Sequence, residues 1–373
     1  MSGWDVAIIG AGVVGLACAA RLARAGRSAL IIEQHAGIGR ETSSRSSQVM
    51  HAGMYYPKGS RKAALCVRGN AMLGAYCEAR GVPFRRIGKL IVATDEAGEE
   101  ALAQILARGR DNGVPALDFA TRAQLDEEPA VAARAALFSP TTGIVDADAL
   151  MHSLRAEAEE HGADLALRHT VIGAERSSAG YRLHLRDPAG EEASVDAAQV
   201  VNAAGLHADR IAALLGLDPD ALGYRQRFVK GSYFRVHRRG LVSRLIYPVP
   251  PRDLLGLGVH VTIELDGGIK LGPDAEPLAE RTMDYTVNEH KRRAFFEAAR
   301  RYLPSLREDD LAPDQAGIRP RLAGGEGPHD FRIAEESARG FPGWVNLCGI
   351  ESPGLTAALP IAEEVAALLG AIG

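Results

Sequence analysis

Several familiar signals are missing from this sequence, and each absence removes a class of function. Only four cysteines occur (Cys18, Cys66, Cys77 and Cys348), in helix-like or strand-like apolar contexts and without metal-ligand spacing. A disulfide scaffold or a zinc site is therefore not expected; the four read as reduced core residues of a cytoplasmic protein. The net charge is only −4, so there is no basic surplus to attract nucleic acid. No apolar run reaches membrane-spanning length; the longest, near Val365 to Ile372, is short and amphipathic. The N-terminus runs straight into a strand-like segment, so no signal peptide is expected. A cytoplasmic location follows, with peripheral attachment to the inner face of a membrane as the alternative. No fixed-period repeat and no low-complexity segment is present. Ser352 lies in Glu-Ser-Pro-Gly rather than Gly-x-Ser-x-Gly, which gives no support to a serine nucleophile. No histidine cluster has metal spacing, and His35, His161 and His237 read as surface or core residues.

What is present is organised around the first 33 residues. Val6 to Ile9 reads as a buried strand, followed by the turn Gly10-Ala-Gly-Val-Val-Gly15 and a helical pattern to Ala25. Ser28 to Ile32 then reads as a second buried strand, closed by Glu33. This is the strand, glycine turn, helix, strand, acid order of a dinucleotide site. Gly10 permits the tight turn, Gly12 lets backbone approach a pyrophosphate, and Gly15 lets the helix pack on the sheet. Unpaired N–H groups at the helix N-terminus suit phosphate. Glu33 can accept from ribose hydroxyls and disfavours a 2′-phosphate, which leaves FAD and NAD open.

At 373 residues the chain can hold two domains, each with its own core. A long aperiodic stretch, Gln34 to Ser60, follows the first unit. It is either a hydroxyl-rich surface linker or a packed loop whose hydroxyls and Arg45 touch a cofactor. Helices are expected from Lys62 to Arg80, Glu99 to Asn112 and Asp146 to His161, with a strand at Leu90 to Thr94 and a small meander over Thr170 to Val195. Gln199 to Gly205 reads as a strand entering a glycine turn, with a helix over His207 to Leu215. Strands are expected at Phe228–Val236, Leu245–Val249, Leu257–Glu264 and Ile269–Leu271, then a charged helix from Val287 to Tyr302. The tail from Trp344 is again strand, glycine turn, helix. The expected fold is α/β: a Rossmann-like dinucleotide-binding domain (1–85, 145–218 and 320–373) interleaved with a β-rich α+β cap (86–144 and 219–319).

Segments along the whole chain resemble the D-amino-acid-oxidase-like superfamily of FAD-dependent oxidoreductases, and within it the L-2-hydroxyglutarate dehydrogenase/oxidase family. They are the Gly10/Gly12/Gly15 motif with Glu33, Val49-Met-His-Ala-Gly-Met-Tyr-Tyr-Pro-Lys-Gly-Ser with Lys62-Ala and Leu65-Cys, and Val201-Asn-Ala-Ala-Gly205. Leu245-Ile-Tyr-Pro-Val-Pro, Gly258-Val-His-Val-Thr, Leu271-Gly-Pro, Gly317-Ile-Arg-Pro and Gly349-Ile-Glu-Ser-Pro-Gly-Leu-Thr continue the series in order. The chain departs from the family pattern at Ser46 and Gln48, where Asn and Gly are usual, and at Lys230, where Arg is expected. The resemblance implies FAD held between the two domains. It places Gly10, Gly12, Gly15 and Glu33 on the ADP half, Thr42, Ser43 and Arg45 along the pyrophosphate and ribityl chain, and Val171 at the adenine. Val13, Val14, Gln34, Ser47, His51, Ala52, Gly53, Ala203, Gly205 and Arg319 complete the implied contacts, and Gly354, Leu355 and Thr356 open a final helix beside the flavin. In some relatives a histidine near the position of His51 is linked to flavin.

Oxidising a 2-hydroxy acid takes a cation for the carboxylate and a base for the hydroxyl. Arg319 is the first candidate for the cation. His260 and His51 compete for the base. In a period-two strand His260 shares a face with Thr262. Tyr56, Lys230, Ser232 and Tyr247 are further candidates to orient substrate; Lys230 either meets a distal carboxylate or is solvated. The expected activity is FAD-dependent oxidation of a small L-2-hydroxy acid such as L-2-hydroxyglutarate. The alternatives are a glycine- or sarcosine-type amino-acid oxidase, a glycerol-3-phosphate dehydrogenase-like enzyme, and a non-catalytic flavin-binding protein. The electron acceptor (oxygen, a quinone or an electron-transfer protein) is left open.

Overall fold

A computed structural model describes residues 3–250, 258–324 and 329–371. The buried runs of the sequence become two large sheets. The first is an eight-stranded sheet with a parallel centre, in the spatial order Phe341–Cys348, Glu192–Asn202, Trp4–Ile9, Ala29–Glu33, Ala163–Leu167. Such strands are covered on both faces and so read as continuous apolar runs. On one face pack the helices Val13–Arg24, Ala147–Glu160 and Gly354–Leu368, with Leu16, Leu150, Leu154, Ile361 and Val365 at their contact. Each start has a local cause. Ser60 accepts from Ala63 N–H ahead of the helix Arg61–Arg80, and Asp146 accepts from Ala149 N–H ahead of Ala147–Glu160.

The second, nine-stranded sheet is mostly antiparallel and forms the cap. Toward one edge of it the strand Gln226–Val236 pairs over nearly its whole length with Leu311–Leu322. Across the sheet follow Ile269–Gly272, His260–Ile263, Leu245–Pro248 and Lys89–Ala93. All four cysteines are buried and none is bonded to another. Among the described residues, no helix is long and apolar enough to cross a membrane.

Four sequence expectations change. Leu311–Leu322 is a 12-residue strand where none was expected, because Pro313, Gly317 and Pro320 argue against a strand interior. Among the described residues its one strand partner is Gln226–Val236, and at an edge a missing N–H costs no ladder bond. The domain boundary drawn at 319/320 therefore falls inside a strand. The meander is present as Thr170–Ser177 and Gly180–Arg186, but its last part runs on into the strand expected at Gln199 to make one strand, Glu192–Asn202. Its first half pairs with Gly180–Arg186 and its second half with Phe341–Cys348. The charged helix contracts to Arg292–Ala299, preceded by one 3-10 turn, Glu289–Lys291. The strand expected from Leu257 is His260–Ile263, and Leu257 itself lies outside the described residues.

Candidate active site

The first strand ends at Ile9 and the turn enters the helix Val13–Arg24. Gly10 has φ +103°, and a Cβ on Gly15 would sit 2.0 Å from the Gly10 carbonyl oxygen, so both positions require glycine. Gly15 thus packs the turn and does not line a cavity. The helix is capped from a distance: Val13 N–H donates to Ser43 Oγ at 3.0 Å. Glu33 accepts from Ala11 N–H at 2.9 Å and from His35 N–H at 2.8 Å, fixing its carboxylate beside the turn. Here a cavity of about 420 Å³ opens, lined by Gly10, Glu33, Gln34, His35 and Val171. Glu41 bridges His35 and His207 at its rim, at 2.9 and 3.1 Å. Burial pushes the Glu41 carboxyl up, but hydrogen bonds and charge from His207 and His35 outweigh it and hold the group below its usual range. His35, expected to be a surface or core residue, thus lines the smaller cavity.

Gly12, Thr42, Ser43, Ala203 and Gly205 also wall a larger cavity of about 790 Å³ between the two sheets. The joined shape suits an extended dinucleotide, with ADP in the smaller part and the ring system in the larger. The loop after Glu33 is packed: Val49, Met50 and Met54 are buried, while Thr42, Ser43, Arg45 and Ser47 line the larger cavity. Thr42 Oγ1 donates to the Ile318 carbonyl at 3.0 Å, and the Arg45 guanidinium lies 3.8 Å from the Tyr285 ring centroid. These contacts tie the loop to the cap.

Val13, Val14, His51, Tyr56, Tyr247, His260, Arg319, Gly354 and Leu355 all line the larger cavity. The Tyr247 and His260 rings stack 3.7 Å apart, 8° from parallel. Other expected residues do not reach the cavity. Lys230 and Ser232 alternate with Gly231 and Tyr233 along one strand, and it is the latter two that line it. Lys230 instead pairs with Asp284 at 2.7 Å. Thr262 and Ala52 are buried away from it, and at Gly53 a side chain would meet Val67. Thr356 is also fully buried, accepting from His51 N–H at 3.0 Å.

Sequence reading missed several residues of the site. Asn70 donates to the His51 carbonyl at 3.0 Å and accepts from Arg86. Tyr55, Tyr233, Lys62, Arg321, His329 and Glu351 line the cavity, and Lys62 pairs with Glu351 at 2.9 Å. Lys89 is only 1% exposed, beneath Tyr55 and Tyr247. One signal was available: a lone lysine heads the otherwise apolar Lys89-Leu-Ile-Val-Ala strand. Burial, then the positive charges of Lys89 and Arg319, push the His51 imidazole down to about 3, so it is neutral at physiological pH. Among the described residues no acid, histidine and cysteine cluster could hold a metal ion.

A Rossmann-like sheet with a glycine turn, a double cavity beside it and a second, mostly antiparallel sheet define the class of dinucleotide-dependent enzymes. The family model for FAD dependent oxidoreductases (DAO) matches residues 5–368. The chain belongs to that family and is an FAD-dependent oxidoreductase. It is 37% identical over 401 residues to the mitochondrial L-2-hydroxyglutarate dehydrogenase of Arabidopsis thaliana, covering 97% of this chain and 82% of that one. It is 32% identical to the glycerol 3-phosphate dehydrogenase of Caloramator mitchellensis, covering 98% of this chain and 74% of that one. Among solved structures it is similar to the FAD-bound L-alpha-glycerophosphate oxidase of Mycoplasma pneumoniae, with a TM-score of 0.88 and 26% identity over 99% of this chain and 95% of that one.

Proposed function

We propose that the protein oxidises a small L-2-hydroxy acid, L-2-hydroxyglutarate or a close analogue, to the 2-oxo acid. The carrying observation is that Arg319 and a neutral His51 line one cavity, close enough for Arg319 to disfavour the imidazolium. Arg319 would take the 2-carboxylate in a two-bond fork. That carboxylate offsets the guanidinium charge, which raises the basicity of His51 when substrate is bound. His51 then accepts the hydroxyl proton, and the stacked Tyr247 and His260 fix the face that substrate presents. Bound FAD would supply the two-electron acceptor for the hydride leaving C2. Gly12 and Ser43 would hold its pyrophosphate, and the N-terminus of Gly354–Leu368 would face the ring.

A second reading has support of its own. Lys62 and Arg321 also line the cavity, which suits the phosphate of a glycerol phosphate, and a named relative and a solved neighbour act on such compounds. Anaerobic bleaching of the flavin by a panel of 2-hydroxy acids, glycerol 3-phosphate and 2-amino acids separates these readings. Bleaching by L-2-hydroxyglutarate at low concentration is expected. Bleaching by glycerol 3-phosphate or an amino acid alone would overturn the leading proposal.

A further inference from the structure

A lysine lies behind two rings of the cavity wall. Lys89 opens the cap strand Lys89–Ala93 and is 1% exposed. Its Nζ lies 4.5 Å from the Tyr247 ring centroid and 4.8 Å from that of Tyr55. Tyr247 in turn stacks on His260. Among the described residues Lys89 forms no ion pair, although the other buried lysines do: Lys62 with Glu351, Lys230 with Asp284, and Lys270 with Glu264 and Asp314. The titratable groups that face it are Tyr55 and Cys66 from the flavin-side loop and helix, Tyr247 from the neighbouring strand, and His51, with Arg319 beyond. None is a carboxylate. An ammonium buried without a counter-ion is costly, and such a group persists where its charge is used.

We propose that Lys89 is a positioning residue for substrate oxidation: it braces the Tyr55 and Tyr247 rings that wall the cavity and supplies, from behind them, a positive charge that waits for the substrate's anion. This rests on the reading of the cavity as a carboxylate site. With Arg319 already present, a second cation deepens the attraction for an anion and disfavours a proton on empty His51. When the anion arrives, its charge is shared by Arg319 and Lys89, and His51 is released to act as base. Burial holds the Lys89 amine down to about 7, so this second charge fades as pH rises past neutrality.

The test uses the holoenzyme with Lys89→Met, Lys89→Gln and Lys89→Arg, and acetate as probe, because acetate is a monoanion throughout the range pH 5.5–9.5. Binding is followed by the flavin difference spectrum and by the rise in Tm. At pH 6 the Met and Gln variants are expected to bind acetate about tenfold more weakly than wild type, and the gap closes toward pH 9.5. Lys89→Arg, charged at every pH, is expected to keep tight binding with no fall above neutrality. In turnover, the neutral variants shift the basic limb of the pH profile and Lys89→Arg restores the rate at low pH. Unchanged acetate affinity in both neutral variants overturns the proposal alone. Loss of FAD from both assigns Lys89 to holding the fold and also overturns it. A wild type that binds no acetate strikes the carboxylate site itself, and with it both proposals.

Discussion

The backbone amide of His51 donates to the hydroxyl of Thr356 at 3.0 Å, a bond between groups 305 residues apart in the chain. The same hydroxyl donates to the Val49 carbonyl, and Asn70 holds the His51 carbonyl from the other side. The histidine backbone is therefore fixed by two different helices. Replacing Thr356 with Val keeps the volume but leaves a buried N–H without its acceptor, a loss of about 1–3 kcal/mol. We expect Thr356→Val to retain FAD, to melt at lower temperature and to reduce its flavin more slowly, and Thr356→Ser to recover both. Differential scanning calorimetry and anaerobic stopped-flow measure the two effects. Full activity in Thr356→Val would show that this anchor is dispensable.

The two histidines differ in setting, and their variants should differ accordingly. Removing a general base costs on the order of 10²–10⁴-fold in rate. His51→Asn is expected to lose that much in the limiting rate of flavin reduction while keeping its yellow colour. His260 lies flat against Tyr247, so His260→Asn should lose about 2- to 13-fold, as expected for a stacking partner worth about 0.5–1.5 kcal/mol. The reverse ranking would make His260 the base.

Arg319 is expected to act on binding. Losing a charge-assisted hydrogen bond of about 1.5–3 kcal/mol weakens substrate roughly 10- to 150-fold. Arg319→Met should raise the Kd for substrate by that range, and Arg319→Lys should recover part of it, as a point charge without the fork. Titration of the flavin spectrum reads both. Equal Kd values in all three proteins would exclude Arg319 from the carboxylate site.

Lys89 also links stability to pH. Its amine is held down to about 7 in the folded chain, mainly by burial, against an ordinary value of 10.5. Between those two pH values the unfolded chain binds the proton and the folded chain does not, so this group makes stability rise with pH. Its contribution is complete above pH 10.5 and is lost as pH falls to about 7. Lys89→Met lacks that slope. The variant should therefore gain most over wild type at or below pH 7, with the advantage shrinking toward pH 10.5. Urea titrations at pH 6, 8 and 10 test this; a constant difference would contradict the assigned burial cost.

The nucleotide end was legible in the sequence because its requirements are local. Gly10, Gly15 and Glu33 are demanded by a turn, a helix contact and a strand end, all within one supersecondary unit. The family-specific segments carried His51, Arg319, Tyr247 and His260 to a common cavity for the same reason: each lies in a short run of unusual residues. What was hidden depends on register. Lys230 and Gly231 are neighbours in the chain, yet one strand's alternation sends only Gly231 to the cavity. Thr356 lies beside residues that line the cavity, but its hydroxyl holds backbone instead. Lys89, Asn70 and Lys62 have roles set by what packs over them, and no spacing rule reports that. The edge strand Leu311–Leu322 was obscured by its prolines, whose missing N–H groups are harmless only in an edge position that tertiary pairing creates.

The order of strands in the parallel sheet has a consequence for how the enzyme is made. The glycine turn is made well before its sheet neighbour Glu192–Asn202 and the outer partner Phe341–Cys348, which lie far downstream in the chain. The helix Gly354–Leu368, which covers the sheet and anchors His51 through Thr356, is later still. A nascent chain can thus display the phosphate-binding turn long before it has a pocket to keep the cofactor. A chain that stops short of Glu192 would carry the phosphate-binding turn with one flank of its first strand unpartnered, and is expected to retain no flavin.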